Sequence, residues 1–448
     1  MPRTLPEISR VQTIRKLPSN LKNPIPGMNA NLQAYGENFR FYLGGIHPCI
    51  LTAEPGFIQH VLQKANRKYV KSPLHFRQLA RYMGMGLLTI DGDHWLRQRR
   101  LIQPGFHRDR IQGLSDLMQD VIEEQLVSFE EDLEKGPIDI YPHMLRMAFN
   151  IIARSIFGSS LAGDELQLLS DRINEIQEFL VRQIRMPFMN PWYRLTGKIQ
   201  HHERLAAELD ERILARIEQR RSSGGTHDDL LQMLLDARYE DTGAPMSDQQ
   251  LLDEIKILFV AGHDTSANAL AWTWHLLGKN PAYLRGIRKE RERVIGDRRP
   301  HAVDLRALPL TRQVIDESMR LYPPAWVTDR MAQENDEYNG IPIAKGTYLV
   351  TYIYSVHHSA HYWEDPERFW PERFAPENAK GRPAFAHIPF GGGPRLCIGN
   401  NFAIMEMQLV LAEMARRYDC ESLEAHPPFV PLLTLRPERG IPMRFWKR

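Results

Sequence analysis

The stretch from Ser247 to Gly278, SDQQLLDEIKILFVAGHDTSANALAWTWHLLG, constrains the fold more than any other part of this 448-residue chain. Ser247 followed by Gln250 is a capping-box start, and Gly278 ahead of Pro281 is a stop. About 30 residues at 1.5 Å each make a helix of roughly 45 Å, enough to cross a whole domain. Its middle is apolar on several faces, so the helix should be buried.

That buried middle also breaks local rules. AGHDTS occupies Ala261 to Ser266. Gly262 costs about 1 kcal/mol in a helix interior. Asp264, Thr265 and Ser266 put polar groups among buried neighbours. A threonine hydroxyl can bond the carbonyl one turn back and bend the helix. Two readings stand at this point: a kinked core helix with a satisfied polar patch, or a functional site built into the core.

Around this element the chain reads as mainly α with small β-sheets. Helical patterning dominates from Trp95 to Pro281, with loops at Gly136, Gly163, Met186 to Gly197 and Gly224. Further helices are expected at Pro55 to Lys68, Tyr283 to Ile295 and Leu310 to Leu321, the last stopping before Pro323 and Pro324. Short β-like runs lie early (FRFYLGG, CILTA) and again at VTDRMAQ, YNGIPIAKG and TYLVTYIY. Asn339–Gly340 is a hairpin signal. No linker, repeat or charge block marks a boundary, and RRSSGGTHDD (Arg220 to Asp229) reads as one surface loop. Residues 1–448 are therefore expected to form a single large domain.

Charge is nearly balanced, with 57 Lys+Arg against 55 Asp+Glu, and nothing suggests a nucleic-acid partner. Apolar runs fall well short of the ~18 residues a membrane span needs, so no transmembrane anchor and a cytoplasmic location are expected. Three cysteines, Cys49, Cys397 and Cys420, do not make a disulfide framework or a zinc site. Cys49 reads as a buried strand residue and Cys420 as structural.

Cys397 is different. It sits in FGGGPRLCIG, Phe390 to Gly399, and an amphipathic helical run begins directly behind it. A thiolate near a helix N-terminus is stabilised by the dipole and by unpaired N–H groups. The glycines let the backbone approach a large flat ligand closely. The spacing F-x-x-G-x-R-x-C-x-G resembles the haem-binding loop of the cytochromes P-450, the haem-thiolate monooxygenases. The resemblance implies haem b with Cys397 as axial iron ligand, cradled by Phe390, Gly393, Arg395 and Gly399.

Other motifs of that family follow in its order across about three hundred residues. Trp95 and Arg99 match its W-x-x-x-R pair, which contacts a haem propionate. Arg395 and Arg330 match two further propionate partners, and His94 ranks below Trp95. AGHDTS matches its [AG]-G-x-[DE]-T-[ST] in the helix over the distal face of the haem. The resemblance makes Thr265 the partner of dioxygen and Asp264 the proton relay, and makes His263 a structural histidine. Glu317 and Arg320 (ESMR) with Arg373 (PERF) match a buried Glu–Arg–Arg triad, which is scaffold.

The implied reaction inserts one oxygen atom of dioxygen into a C–H bond of a small lipophilic substrate. Leu88, Ala261, Thr265, Ala325 and Val327 match pocket positions, and RMPFMNPWYRLTG (Arg185 to Gly197) reads either as an adaptable apolar lid or as a loop packed on the core. RLYPPAW and TLRPERGIP look similar to a bacterial carotenoid-ring hydroxylase, and the fatty-acid hydroxylase branch is also close. Carotenoid, terpenoid and fatty acid all stay open. No GxGxxG or flavin pattern is left over, so electrons ultimately from NAD(P)H are expected through a separate ferredoxin or flavodoxin type donor with its reductase. Arg97, Arg100 and Lys380 are candidates for its docking face. The intact Asp264–Thr265 pair favours dioxygen use over a peroxygenase. A cysteine-nucleophile enzyme, a phosphate loop and a non-catalytic haem sensor are the remaining rivals.

Overall fold

The computed structural model describes residues 4–16, 20–21, 23–158, 163–225 and 227–448. In chain order its longer helices are α1 (Pro24–Tyr35), α2 (Pro73–Met83), α3 (Gly92–Ile102), α4 (Ser115–Leu133), α5 (Ile140–Phe157) and α6 (Asp164–Arg185). They continue with α7 (Lys198–Ser223), α8 (Asp248–Lys279), α9 (Pro281–Val294), α10 (Pro309–Leu321) and α11 (Asn400–Arg417). The strands are β1 (Asn38–Leu43), β2 (His47–Thr52), β3 (Tyr69–Lys71), β4 (Ile138–Asp139), β5 (Thr328–Ala332) and β6 (Asp336–Tyr338). β7 (Ile341–Ile343), β8 (Tyr348–Thr351), β9 (Tyr418–Ser422), β10 (Phe429–Pro431), β11 (Leu435–Pro437) and β12 (Pro442–Lys447) complete them. The chain is mainly helical with small sheets, as its patterning requires, and it divides into two compact units.

One unit takes in Met1–Ser72, Gln313–Ile398 and His426–Arg439. Its five-stranded sheet has the order β1-β2-β8-β5-β3, with β2 and β8 parallel and the other pairs antiparallel. Cys49 lies buried in β2, as its apolar surroundings predict. β6 and β7 pair through Tyr338 opposite Ile341, so Asn339–Gly340 is a two-residue hairpin. Both turn residues have positive φ (47° and 80°), the conformation such a hairpin needs. The expected helix from Pro55 to Lys68 is broken into three pieces. An α turn (Pro55–Gln59) passes into a π turn (His60–Lys64) and then a 3-10 turn (Asn66–Lys68). Asp336 anchors this irregular stretch. It takes hydrogen bonds from Lys68 Nζ (2.9 Å) and Tyr69 Oη (2.7 Å), and lies 2.7 Å from His60 Nε2.

The other unit takes in Pro73–Arg312, Gly399–Ala425 and Gly440–Arg448. α8 is its axis. Ser247 Oγ caps the Gln250 N–H, as the capping-box pattern predicts, and every residue from Leu251 to Val260 is buried except one. α5 packs along α8, and Phe149 of α5 stacks on Phe259 of α8 with centroids 5.7 Å apart. β9 pairs with β12 and carries Cys420, which is buried just beyond the end of α11. Two loop expectations are corrected. Met186 to Gly197 is not an open loop, because Pro187–Met189 forms a 3-10 turn and Asn190–Leu195 a short helix. RRSSGGTHDD starts inside α7, which runs to Ser223 because Arg220 is fixed to Asp229 at 2.7 and 2.8 Å. Thr226 of that stretch lies outside the described residues.

Candidate active site

In the first unit, the loop ahead of α11 holds Cys397 by backbone geometry. Its N–H donates to Phe390 O at 3.0 Å, closing the loop on itself. Gly391 and Gly393 have φ of 74° and 68°, which L side chains rarely adopt. A Cβ on Gly393 would stand 2.0 Å from Leu62 O in the π turn, so the two backbones approach where only glycine fits. Cys397 is exposed, whereas burial pushes the thiols of Cys49 and Cys420 up to about 12. Phe390, Arg395 and Gly399 are each half-buried around it in sequence.

Ahead of this loop in the chain lies the triad. Arg320 Nε and Nη2 donate to the two oxygens of Glu317 at 2.7 and 2.9 Å, and Arg373 Nε donates to Glu317 Oε1 at 3.0 Å. All three side chains are within 3% of full burial. Carbonyls take further guanidinium protons, including His357 O for Arg320 and Glu364 O for Arg373. Desolvation lowers the Arg373 pKa, with the Glu317 charge opposing it. The three side chains form one buried hydrogen-bonded cluster.

His357 was not legible in the sequence. It is fully buried, its Nε2 accepts the Ile388 N–H at 3.0 Å, and burial holds its pKa well below 6.5. A neutral imidazole thus ties the triad's carbonyl partner to the strand of chain that enters the Cys397 loop. Arg330 stands in β5 opposite Lys71, donating to Asp329 O at 2.6 Å. Ala325 and Val327 are half-buried on the approach to β5.

In the second unit, the AGHDTS segment stays helical. Thr265 Oγ1 donates to Ala261 O at 2.9 Å, the back-bond its position allows. Ala261 is exposed and Gly262 and Thr265 are half-buried, on a helix otherwise closed by packing. Asp264 points elsewhere: it is 3% exposed, and its Oδ1 receives Tyr141 Oη of α5 and Asn268 Nδ2, each at 3.3 Å. His263 is fully buried with Nδ1 on Phe259 O at 2.7 Å, the structural histidine expected. Ser266 Oγ donates to Glu406 Oε2 of α11 at 2.7 Å. Glu406 was missed, although a lone carboxylate inside the apolar run IMEMQLVLAEM was the available signal.

Trp95 and Arg99 share one face of α3. Trp95 is 8% exposed, and Arg99 Nε donates to Gln103 Oε1 at 3.1 Å. His94, beside them, is exposed. Leu88 lies half-buried between α2 and α3. Arg97 is already engaged, paired with Asp241 at 3.0 Å and stacked on Tyr239 at 4.0 Å, while Arg100 and Lys380 are exposed.

The donor set suits a haem. One accessible thiol stands in a loop whose glycines bring its backbone close to the π turn. An alanine, a glycine and a threonine open one stripe of a buried helix. The cytochrome P450 family profile matches residues 2–442. The chain belongs to that family. It is 31% identical over 425 residues to cyclooctatin synthase of Streptomyces melanosporofaciens, covering 92% of this chain and 90% of that protein. Cyclooctat-9-en-7-ol 5-monooxygenase of the same organism is 30% identical over 389 residues, covering 87% and 83%. The haem domain of cytochrome P450DA superposes with a TM-score of 0.89 at 23% identity, over 100% of this chain and 98% of that one. This cytochrome P450 is thus a monooxygenase, of a family that holds haem through a cysteine thiolate and uses dioxygen. No helix among its described residues is long and apolar enough to cross a membrane.

Proposed function

We propose that this P450 hydroxylates a C–H bond of a ring-containing lipophilic compound, with residues 1–448 acting as one haem domain and Cys397 as the iron ligand. The exposed thiol in its glycine-shaped loop is the observation that carries the assignment. Bound haem supplies dioxygen activation, and a thiolate ligand favours O–O cleavage. The chain's own residues do the rest. By the family's pattern Trp95, Arg99, Arg330 and Arg395 would hold the propionates, and Phe390, Gly393 and Gly399 would shape the loop. Thr265 presents a hydroxyl on the accessible stripe of α8, and Asp264 relays protons from solvent. Glu317, Arg320 and Arg373 keep the scaffold rigid.

Leu88, Ala261 and Thr265 in the one unit, and Ala325 and Val327 in the other, are mostly small or apolar, as a lipophilic substrate requires. The similarity to a monooxygenase of cyclooctat-9-en-7-ol supports a terpenoid-like cyclic substrate over a fatty acid. Electrons come from NAD(P)H through a ferredoxin or flavodoxin type donor and its reductase. Arg100 and Lys380, both exposed, remain the candidates for its docking, since Arg97 already pairs with Asp241. A cytoplasmic enzyme is the matching location.

The test is the carbon-monoxide difference spectrum of the reduced, haem-loaded protein. A strongly red-shifted Soret band that disappears in Cys397→Ser is expected. A purified chain that takes up no haem, or a band insensitive to Cys397→Ser, overturns the assignment.

A further inference from the structure

Two adjacent carboxylates in the first half of α8 have no part in the chemistry above, yet they are almost fully buried. Asp253 is 4% exposed and Glu254 is 2%. Burying a carboxylate is costly unless it is well bonded. Here the bonds go to the backbone of one short segment, residues 84–90, between α2 and α3. Asp253 Oδ2 accepts the Met85 N–H at 2.8 Å, and Glu254 Oε2 accepts the Leu87 N–H at 2.8 Å. The second oxygens take Gln249 Nε2 and Gln250 Nε2, each at 2.9 Å, and Gln250 Nε2 also reaches Met85 O at 3.0 Å. Lys256 Nζ lies 3.7 Å from Asp253 and 2.7 Å from Asp210 of α7, so a buried cation balances part of the charge.

The segment is shaped to receive these bonds. Gly84 has φ of 76°, and a Cβ there would stand 2.0 Å from Asp253 Oδ1. A Cβ on Gly86 would meet Ile257 Cγ1 at 2.8 Å and Asp253 O at 2.9 Å. Thr89 Oγ1 closes the turn from inside, donating to Gly84 O and Gly86 O at 2.8 and 3.0 Å. Two donors, two residues apart, thus meet two consecutive carboxylates. Leu88 is thus flanked by two held residues, Leu87 through its N–H and Thr89 through its hydroxyl.

We propose that Asp253 and Glu254 are positioning residues that set ligand selection by locking segment 84–90 and, through it, Leu88. The inference rests on the proposed place of Leu88 in the pocket wall. Neither carboxylate touches substrate in this reading. Hydrogen bonds to a charged acceptor are worth about 1.5–3 kcal/mol each, so loss of one is read as a tenfold or greater change in local opening.

The test uses the haem-loaded full chain and two probes, imidazole and 4-phenylimidazole. Both coordinate the iron through nitrogen, so the ratio of their affinities reports what the phenyl ring meets. Asp253→Ala and Glu254→Ala are expected to speed amide exchange at Met85 and Leu87 about tenfold or more while α5 exchange stays unchanged. The affinity ratio is expected to shift at least about threefold, and Glu254→Gln, which keeps an acceptor oxygen, should restore both readouts toward wild type. Leu88→Phe is the control and should shift the ratio by itself. Unchanged exchange at Met85 and Leu87 overturns the proposal. So does an unchanged ratio in the alanine variants when Leu88→Phe changes it. If Leu88→Phe also leaves the ratio unchanged, the pocket assignment of Leu88 has failed and the selective role falls with it, even where the exchange data support the anchoring.

Discussion

Ser266 Oγ donates to Glu406 Oε2 at 2.7 Å, joining the residue after Thr265 to the helix that follows the Cys397 loop in sequence. Glu406 is 1% exposed, and its Oε1 has no hydrogen-bond partner among the described residues. Burial pushes its pKa from 4.5 up to about 8, with the Ser266 bond pulling the other way. The carboxyl is therefore protonated at neutral pH, which is how α11 carries an acid inside its core without a counter-ion.

The sign of the resulting pH dependence is unusual for a carboxylic acid. Between 4.5 and about 8 the folded chain keeps a proton that the unfolded chain has released. The contribution of Glu406 to stability therefore falls as pH rises through that window and is level above it. Glu406→Gln is neutral throughout and loses the slope. Urea midpoints at about pH 5 and about pH 8.5 should show the variant gaining on wild type at the higher pH. An equal difference at both values would contradict a protonated Glu406.

The triad answers to a different rule. Glu317 is wholly buried between Arg320 and Arg373, and it also accepts the Trp370 N–H at 2.9 Å. Glu317→Ala leaves two buried guanidiniums without their carboxylate and should cost about 3–5 kcal/mol. Arg182→Ala breaks only the exposed pair with Glu178 at 3.6 Å and should cost at most about 1 kcal/mol. Denaturant unfolding of the two variants side by side checks the contrast.

What was legible in the sequence were features written as strict local patterns. The cap at Ser247, the Asn339–Gly340 turn, the strand at Cys49 and the Glu317–Arg320 spacing each follow from one residue's chemistry at one offset. The Pro55 to Lys68 stretch was misread because a π turn keeps helical periodicity while changing the hydrogen-bond ladder. His357 and Asp253 were invisible for another reason. Their partners are backbone atoms of segments far away in the chain, and no side-chain pattern announces a backbone acceptor or donor. Tyr141 was invisible for its distance alone, since its partner, the Asp264 side chain, lies 123 residues on.

The glycines of the Cys397 loop should not respond alike. Gly393 combines φ of 68° with a Cβ position 2.0 Å from Leu62 O, a backbone atom that cannot swing aside. Gly399 has φ of −87°, and a Cβ on it would meet nothing within 4 Å among the described residues. Gly393→Ala should therefore destabilise the chain by more than about 1 kcal/mol, and Gly399→Ala should fall within about 0.5 kcal/mol of wild type. Thermal unfolding of the apoprotein measures both, and equal losses would mean that the loop's approach to the π turn is not what requires glycine.

Tyr141 offers the sharpest check on how Asp264 works. The tyrosine is half-buried on the first turn of α5, where Asp139 Oδ1 caps its backbone N–H at 3.0 Å. Its hydroxyl reaches inward to Asp264 Oδ1 at 3.3 Å, beside the Asn268 amide at the same distance. Two neutral donors therefore orient the acid, and one of them leads back toward the partly exposed end of a helix. Tyr141→Phe deletes that donor and keeps the ring. One such bond is worth about 1 kcal/mol, so product formed per dioxygen consumed should fall by about fivefold. The solvent isotope effect on turnover should change with it, because the altered step moves a proton. The 4-phenylimidazole affinity should stay at the wild-type value, since neither Tyr141 nor Asp264 is proposed to line the pocket. A variant with unchanged yield and isotope effect would show that Tyr141 does not orient Asp264 for proton relay.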